Sequence, residues 1–288
     1  MKHLFQFLSS LAMIIFFNFS NTAFAEQVKL PNTKVEFIKS QLNNINYRLY
    51  ISFPHGYEKS KDTYPVIYLL DEDYSFAIAH NILEHLSDRK DLPKAILVAI
   101  GYDNQEQTVQ YKDRSKLSNY KINRTRDYTP TRSTVGDGYG AEYDKFSGGG
   151  IKFKEFIKTE LFPYINKHYR VNGNNTLVGH SYGGLFATWI YLTDNNMFNN
   201  YIAISPSLWY ENNFLFSLFS SAIINKNSKL YISVGLEESK RMIAGIKQLE
   251  KELKDHSKLK TEILPEENHN TIFPTGLSHG LRFVFNGD

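Results

Sequence analysis

The sequence contains no cysteine, and that absence excludes several chemistries at once. Disulfides, thiolate nucleophiles, zinc–thiolate sites, iron–sulfur clusters and a lipid-bearing cysteine anchor all need a thiol. Charge of one sign is also scarce: Lys+Arg 33 face Asp+Glu 30 over 288 residues, a formal excess of +3. So small an excess leaves no electrostatic footprint for nucleic acid. Phosphate chemistry lacks its marks too, since neither a Gly-rich loop ending in lysine nor a dinucleotide fingerprint occurs. His80 and His85 with Glu84 miss the His-x-x-Glu-His spacing of a zinc helix. Five residues of helix turn through about 500°, which leaves the two imidazoles about 140° apart. The run Asp71-Glu72-Asp73 lacks the alternate ligands and distal Glu of a calcium loop. No metal and no cofactor is expected.

Long apolar runs are absent as well, with one exception. Lys2 precedes an apolar stretch from Leu4 to Phe19, and Ala23-Phe24-Ala25 follows it. A basic start, a short apolar segment and a small-x-small site together read as a secretory signal peptide, cut after Ala25. No later run approaches the length of a membrane span. The mature protein is expected to be soluble, off the membrane, and periplasmic or secreted. Its apolar content of 42% and aromatic content of 15% describe an ordered chain with a large core. The expected organisation is a signal peptide at 1–25 and a single domain at 26–288.

Short β-branched and apolar runs alternate with helical stretches along the mature chain. Strands are predicted at Val35–Lys39, Ile45–Phe53, Val66–Leu70, Ala95–Ile100, Thr176–Gly179, Tyr201–Ser205, Lys229–Val234 and Lys260–Leu264. The first two alternate polar and apolar residues about Asn43-Asn44 and read as a hairpin. The later strands are continuously apolar, as strands buried on both faces of a mostly parallel sheet are. Helices are predicted at Phe76–Leu86, Phe153–Lys167, Gly184–Leu192, Asn213–Asn225 and Lys240–His256. This order is that of an α/β domain with helices on both faces of the sheet.

Residues 101–150 break the rhythm and read as a long binding loop. Between Lys112 and Arg132 the loop carries seven basic residues, Lys112, Arg114, Lys116, Lys121, Arg124, Arg126 and Arg132, against Asp113 and Asp127.

Val178-Gly179-His180-Ser181-Tyr182-Gly183-Gly184 carries the chemistry. Gly-x-Ser-x-Gly alone is a weak signal, but here it follows a predicted strand and opens a predicted helix. That is the setting of a nucleophile elbow, with the serine hydroxyl raised above the sheet edge. The backbone N–H of Tyr182 would then meet the developing oxyanion at the positive end of a helix. A serine needs a base, and the base a carboxylate to orient it. In this fold the chain order is serine, acid, histidine. Three histidines follow Ser181: His256, His269 and His279. His269, in a polar loop just past the last strand, is the expected base. Gly235-Leu236-Glu237-Glu238 follows the preceding strand, so Glu238 is the expected acid, with Glu237 as its rival. A second oxyanion donor is expected from the turn Leu70-Asp71-Glu72, through the backbone N–H of Glu72 or its neighbour.

At these residues the chain resembles the esterase D-like superfamily of α/β-hydrolases, in the branch holding the enterobactin, salmochelin and bacillibactin esterases. The resemblance rests on Pro65–Asp71, Arg124-Thr125-Arg126-Asp127-Tyr128-Thr129-Pro130, Gly179–Gly184, Ile204–Trp209, and Asn268-His269 followed by Gly280–Phe283. The chain departs from the family in having Glu72 where Leu-Asp-Gly is usual. The resemblance implies an α/β-hydrolase fold and ester hydrolysis through a serine acyl-enzyme. It also implies a small-molecule ester as substrate, with a ferric catecholate siderophore as one candidate. On that implication Arg124, Arg126 and Tyr128 would clamp anionic rings by charge-assisted bonds and cation–π contacts. An internal Arg126–Asp127 pair is the structural alternative. Acyl transfer and a silent ligand-binding role are the rival functions, and the oligomeric state stays open.

Overall fold

The computed structural model describes residues 28–103, 118–136, 138–222, 225, 227–256 and 258–286. The predicted signal peptide and Lys112, Arg114 and Lys116 lie outside these residues. From Asn32 onward the chain folds as one unit.

Among the described residues eight strands form one sheet: β1 (Thr33–Lys39), β2 (Asn46–Ser52), β3 (Tyr64–Leu70), β4 (Ile96–Tyr102), β5 (Val171–His180), β6 (Asn200–Ile204), β7 (Lys229–Gly235) and β8 (Leu259–Leu264). Their order is β1-β2-β4-β3-β5-β6-β7-β8. The β1–β2 hairpin is antiparallel and β2 joins β4 antiparallel; every later pairing is parallel. Every residue of β3 and β4 is buried, so helices cover both faces there. In β2 burial follows the polar–apolar alternation instead, with Tyr47, Leu49 and Ile51 inward. The chain moves outward from β3 in both directions, and this switch point opens a crevice at the carboxyl ends of the strands.

The helices are α1 (Glu72–Asp88), α2 (Asn119–Tyr128), α3 (Ala141–Asp144), α4 (Gly150–Phe156), α5 (Phe162–His168), α6 (Tyr182–Thr193), α7 (Tyr210–Asn213), α8 (Lys240–Glu252) and α9 (Ile272–Asn286). Helix α8 shows why such segments coil. Ser239 caps it by accepting the Met242 N–H, and Met242, Ile246 and Leu249 bury one stripe.

Three expectations need correction. The segment 101–150 is no simple loop, because α2 and α3 lie within it. Helix α2 escaped notice because it buries Asn123, Arg124, Thr125 and Asp127 where an apolar stripe would normally lie. The helix predicted at Asn213–Asn225 is a 3₁₀ segment, Phe214–Ser221, entered through the left-handed residues Glu211, Asn212 and Asn213. Finally, Phe153–Lys167 is not one α-helix. A π segment, Ile157–Leu161, separates α4 from α5 just before Pro163, which has no N–H to give the preceding turn.

Candidate active site

Strand β5 ends at His180 and α6 starts at Tyr182, so Ser181 alone makes the turn between them. It does so at φ 58°, ψ −115°, a region that costs an L residue energy and survives only when its surroundings hold it. The restraints are specific. Ser181 N–H donates to Ile204 O at 3.0 Å, and Ser207 N–H donates to Ser181 O at 3.1 Å. Gly179 has to be glycine, because a Cβ there would lie 2.1 Å from Gly183 O. Ser181 Oγ has Ser207 Oγ as a neighbour at 3.5 Å.

The two carboxylates that competed in the sequence separate cleanly. Glu237 is exposed, whereas the Glu238 side chain is only 2% exposed and its Oε2 meets His269 Nδ1 at 2.8 Å. Glu238 Oε1 accepts from Gly235 N–H at 2.9 Å and from the Ser205 hydroxyl. Burial pushes this carboxyl up, but the bonds from His269, Ser205 and Gly235 outweigh it and hold it below the usual range. With Nδ1 engaged by Glu238, the Nε2 edge of His269 is left for a substrate or nucleophile. The His269 ring stands 4.8 Å from the ring of His180, the residue before Ser181. His180 itself is buried. Burial, with the neighbouring His269 and Arg124, pushes it down to about 3, so it stays neutral. The other two histidines stand elsewhere: His256 packs near Tyr191 at the amino end of β8, and His279 pairs with Glu262.

The turn after β3 starts with Asp71 at φ 62°, and Glu72 begins α1. The Glu72 side chain lies back over Gly101 and pairs with Arg48, so it fills the space behind the turn. A Cβ on Gly101 would fall 1.8 Å from that carboxyl carbon. The departure from Leu-Asp-Gly is thus absorbed by the β2–β4 face. The Glu72 N–H begins a helix, where backbone donors have no partner within the helix itself.

The residues expected to clamp substrate have interior partners. Arg124 makes a bidentate pair with Asp71, and it also donates to His180 O at 3.3 Å and to the Tyr139 hydroxyl. Tyr128 is fully buried, and its hydroxyl accepts the Asp71 N–H at 3.2 Å. Arg126 pairs with Asp127 at 2.7 Å, and Asp127 in turn accepts from Tyr47. This is the internal Arg126–Asp127 pair that stood as the structural alternative. Arg124 ties together the turn after β3, the elbow and the chain at Tyr139, which sequence spacing could not disclose.

The turns share one property. Four non-glycine residues at positive φ, Asp71, Ser181, Ser205 and Glu266, follow the carboxyl ends of β3, β5, β6 and β8. Among the described residues no group of three or more His, Asp or Glu side chains is placed to hold a metal ion.

Comparison with known proteins bears on this geometry. The Esterase family, described as "Putative esterase", matches residues 40–276. The ferri-bacillibactin esterase BesA of Bacillus subtilis is 28% identical over 275 residues, covering 90% of this chain and 91% of its own. The crystal structure of the BES protein from Bacillus cereus is 30% identical with a TM-score of 0.75, covering 92% of this chain and 98% of its own. An IroE-like serine hydrolase from Shewanella oneidensis is 29% identical, also at 0.75, covering 88% and 80%.

Proposed function

The chain belongs to this Esterase family and is a serine-hydrolase-type enzyme for carboxylic esters, and we propose that it is an exported esterase of catecholate siderophores with Ser181, His269 and Glu238 as its triad. The observation that carries the residue assignment is the His269–Glu238 contact at 2.8 Å beside the strained Ser181 turn. The substrate class rests on the relatives, one of which is named a ferri-bacillibactin esterase. Export rests on the N-terminal segment. Among the described residues no helix is long and apolar enough to cross a membrane.

In this reading His269 Nε2 takes the proton of Ser181 as Oγ attacks the ester carbonyl. The N–H groups of Tyr182 and Glu72 receive the oxyanion. His269 then protonates the leaving alkoxide, and a water deprotonated by His269 releases the acid. Glu238 fixes the tautomer and stabilises the imidazolium. The test is labelling with a fluorophosphonate, followed by hydrolysis of p-nitrophenyl esters beside ferric and apo tricatecholate lactones. An adduct on Ser181, and release of the dihydroxybenzoyl-bearing acid, are expected. Turnover of simple esters with both lactones untouched would remove the substrate class and leave the esterase.

A further inference from the structure

One imidazole joins parts of the site that come from distant stretches of chain. His180, the last residue of β5, has the ring of His269 at 4.8 Å, with the two planes 35° apart. Tyr74 and Phe273 also pack on it, at 6.1 Å and 6.0 Å between ring centres, and meet each other edge to face at 5.6 Å. Tyr74 lies on the first turn of α1, and Phe273 on the first turn of α9, just past His269. The Tyr74 hydroxyl is 2.9 Å from His180 Nδ1 and 3.4 Å from Asp71 Oδ2. Both Asp71 oxygens already accept from Arg124. The phenol proton is therefore assigned to the shorter contact, with His180 Nδ1 as its acceptor.

That assignment puts the ring proton of His180 on Nε2, which is buried and makes no hydrogen bond of ordinary geometry. The backbone of His269 is still near enough to act on the ring in the direction that favours its charged form, as a carbonyl acceptor does. Burial outweighs that pull and keeps His180 neutral. A neutral ring can lie against His269 without repelling the imidazolium that forms there. Glu238, for its part, holds His269 only at the Nδ1 corner, and the His269 side chain is 40% exposed. A ring held by one hydrogen bond can pivot about it, and the only other ring the structure sets beside His269 is that of His180.

We infer that Tyr74 and His180 form a positioning pair for the base: the Tyr74 hydroxyl fixes the His180 ring, and that ring holds His269 in the attitude that reaches Ser181. The inference rests on the Ser181–His269–Glu238 reading above. Neither residue touches the reacting atoms. Their effect is on how often the base is aligned, and misalignment by a fraction of an ångström is costly in rate.

The test separates alignment from packing. Working sites are counted by end-point labelling of Ser181 with a fluorophosphonate, and kcat for p-nitrophenyl acetate is expressed per labelled site. Tyr74→Phe keeps the ring against Phe273 and removes only the hydroxyl. It should lower kcat per site about tenfold at unchanged KM, while Tm falls by only about 2–4 °C, the effect of one lost hydrogen bond. His180→Phe removes the acceptor and should lower kcat per site at least as far. Tyr74→Phe combined with His180→Phe should be no slower than His180→Phe alone, because both changes break the same bond. A packing role alone predicts fewer labelled sites and a lower Tm, with kcat per site unchanged. Either single variant within twofold of wild type per site, or losses that multiply in the double variant, would overturn the pair. Tyr74→Phe decides the matter by itself if His180→Phe does not fold. Wild-type protein that hydrolyses the ester without labelling at Ser181 would overturn the triad reading and the pair with it.

Discussion

Arg124 and Asp71 face each other as a fork, Nε to Oδ1 at 2.6 Å and Nη2 to Oδ2 at 3.0 Å, with side chains 5% and 1% exposed. A pair this deep is expensive to break from one side, because the remaining charge stays buried. The usual cost is about 3–5 kcal/mol. Arg124→Ala should therefore lower Tm on the order of 10 °C in a domain of this size. It should also reduce hydrolysis of p-nitrophenyl acetate and of a catecholate lactone together, since the turn and the elbow both lose a support. Arg124→Lys should recover little, as an ammonium cannot span both oxygens. Selective loss on the lactone at an unchanged Tm would restore Arg124 to the role of a ligand contact.

Ser181 separates activity from stability. Ser181→Ala should leave less than about a thousandth of the esterase rate and no fluorophosphonate adduct. Ser181→Gly should be equally inactive yet melt higher. A backbone in this region costs a side-chain-bearing residue about 1–3 kcal/mol, and each kcal/mol corresponds to about 2–4 °C here. A lower Tm for the glycine variant would contradict the strain at φ 58°.

Glu238→Gln should reduce kcat by about 10²–10⁴, because a neutral amide neither holds the tautomer nor stabilises the imidazolium. Glu237→Gln should stay within about twofold of wild type, the range of an exposed substitution with no partner lost. Equal losses would mean that the 2.8 Å contact to His269 is not what orients the base.

The depressed Glu238 pKa also has a consequence for stability. Its net lowering, bonds outweighing burial, means the unfolded chain takes up the proton first as the medium acidifies. The contribution is complete above the ordinary carboxylate value near 4.5 and is lost as pH falls through the lower folded value. The Tm difference between wild type and Glu238→Gln should therefore be constant from pH 7 to about pH 5 and shrink below it. Thermal scans across that range check it; a gap that widens in acid would reverse the sign.

The sheet was the easiest part to anticipate. All eight strands follow from alternation or short apolar runs, with ends that shift by up to five residues, most at the start of β5, where pairing extends beyond the apolar run. The elbow was legible because strand, glycine and helix signals converge on Ser181. That His269 would stand just past β8, and Glu238 just past Gly235, followed from position; their 2.8 Å contact did not. What stayed hidden was held together across the chain. Asp71 and Arg124 lie 53 residues apart, and nothing local in α2 advertises that its polar side is the buried one. Trp209 was visible in a motif, whereas Arg241, exposed in an ordinary amphipathic helix, gave no signal that its guanidinium lies 5.0 Å from the centre of the Trp209 ring.

The positive-φ residues at the ends of β3, β5, β6 and β8 place a burden on one rim of the molecule. Asp71, Ser181 and Ser205 each position a group in the site, while the backbone under them would be more comfortable as glycine. At Ser181, heat tolerance and turnover therefore pull in opposite directions. A laboratory lineage selected only for surviving heat would drift toward glycine at Ser181 and go silent as an esterase, while the buried bond to Arg124 holds Asp71 against the same drift. One selected for turnover would keep the discomfort and offset it elsewhere, in the helix caps and outer loops where no reaction depends on the backbone's shape.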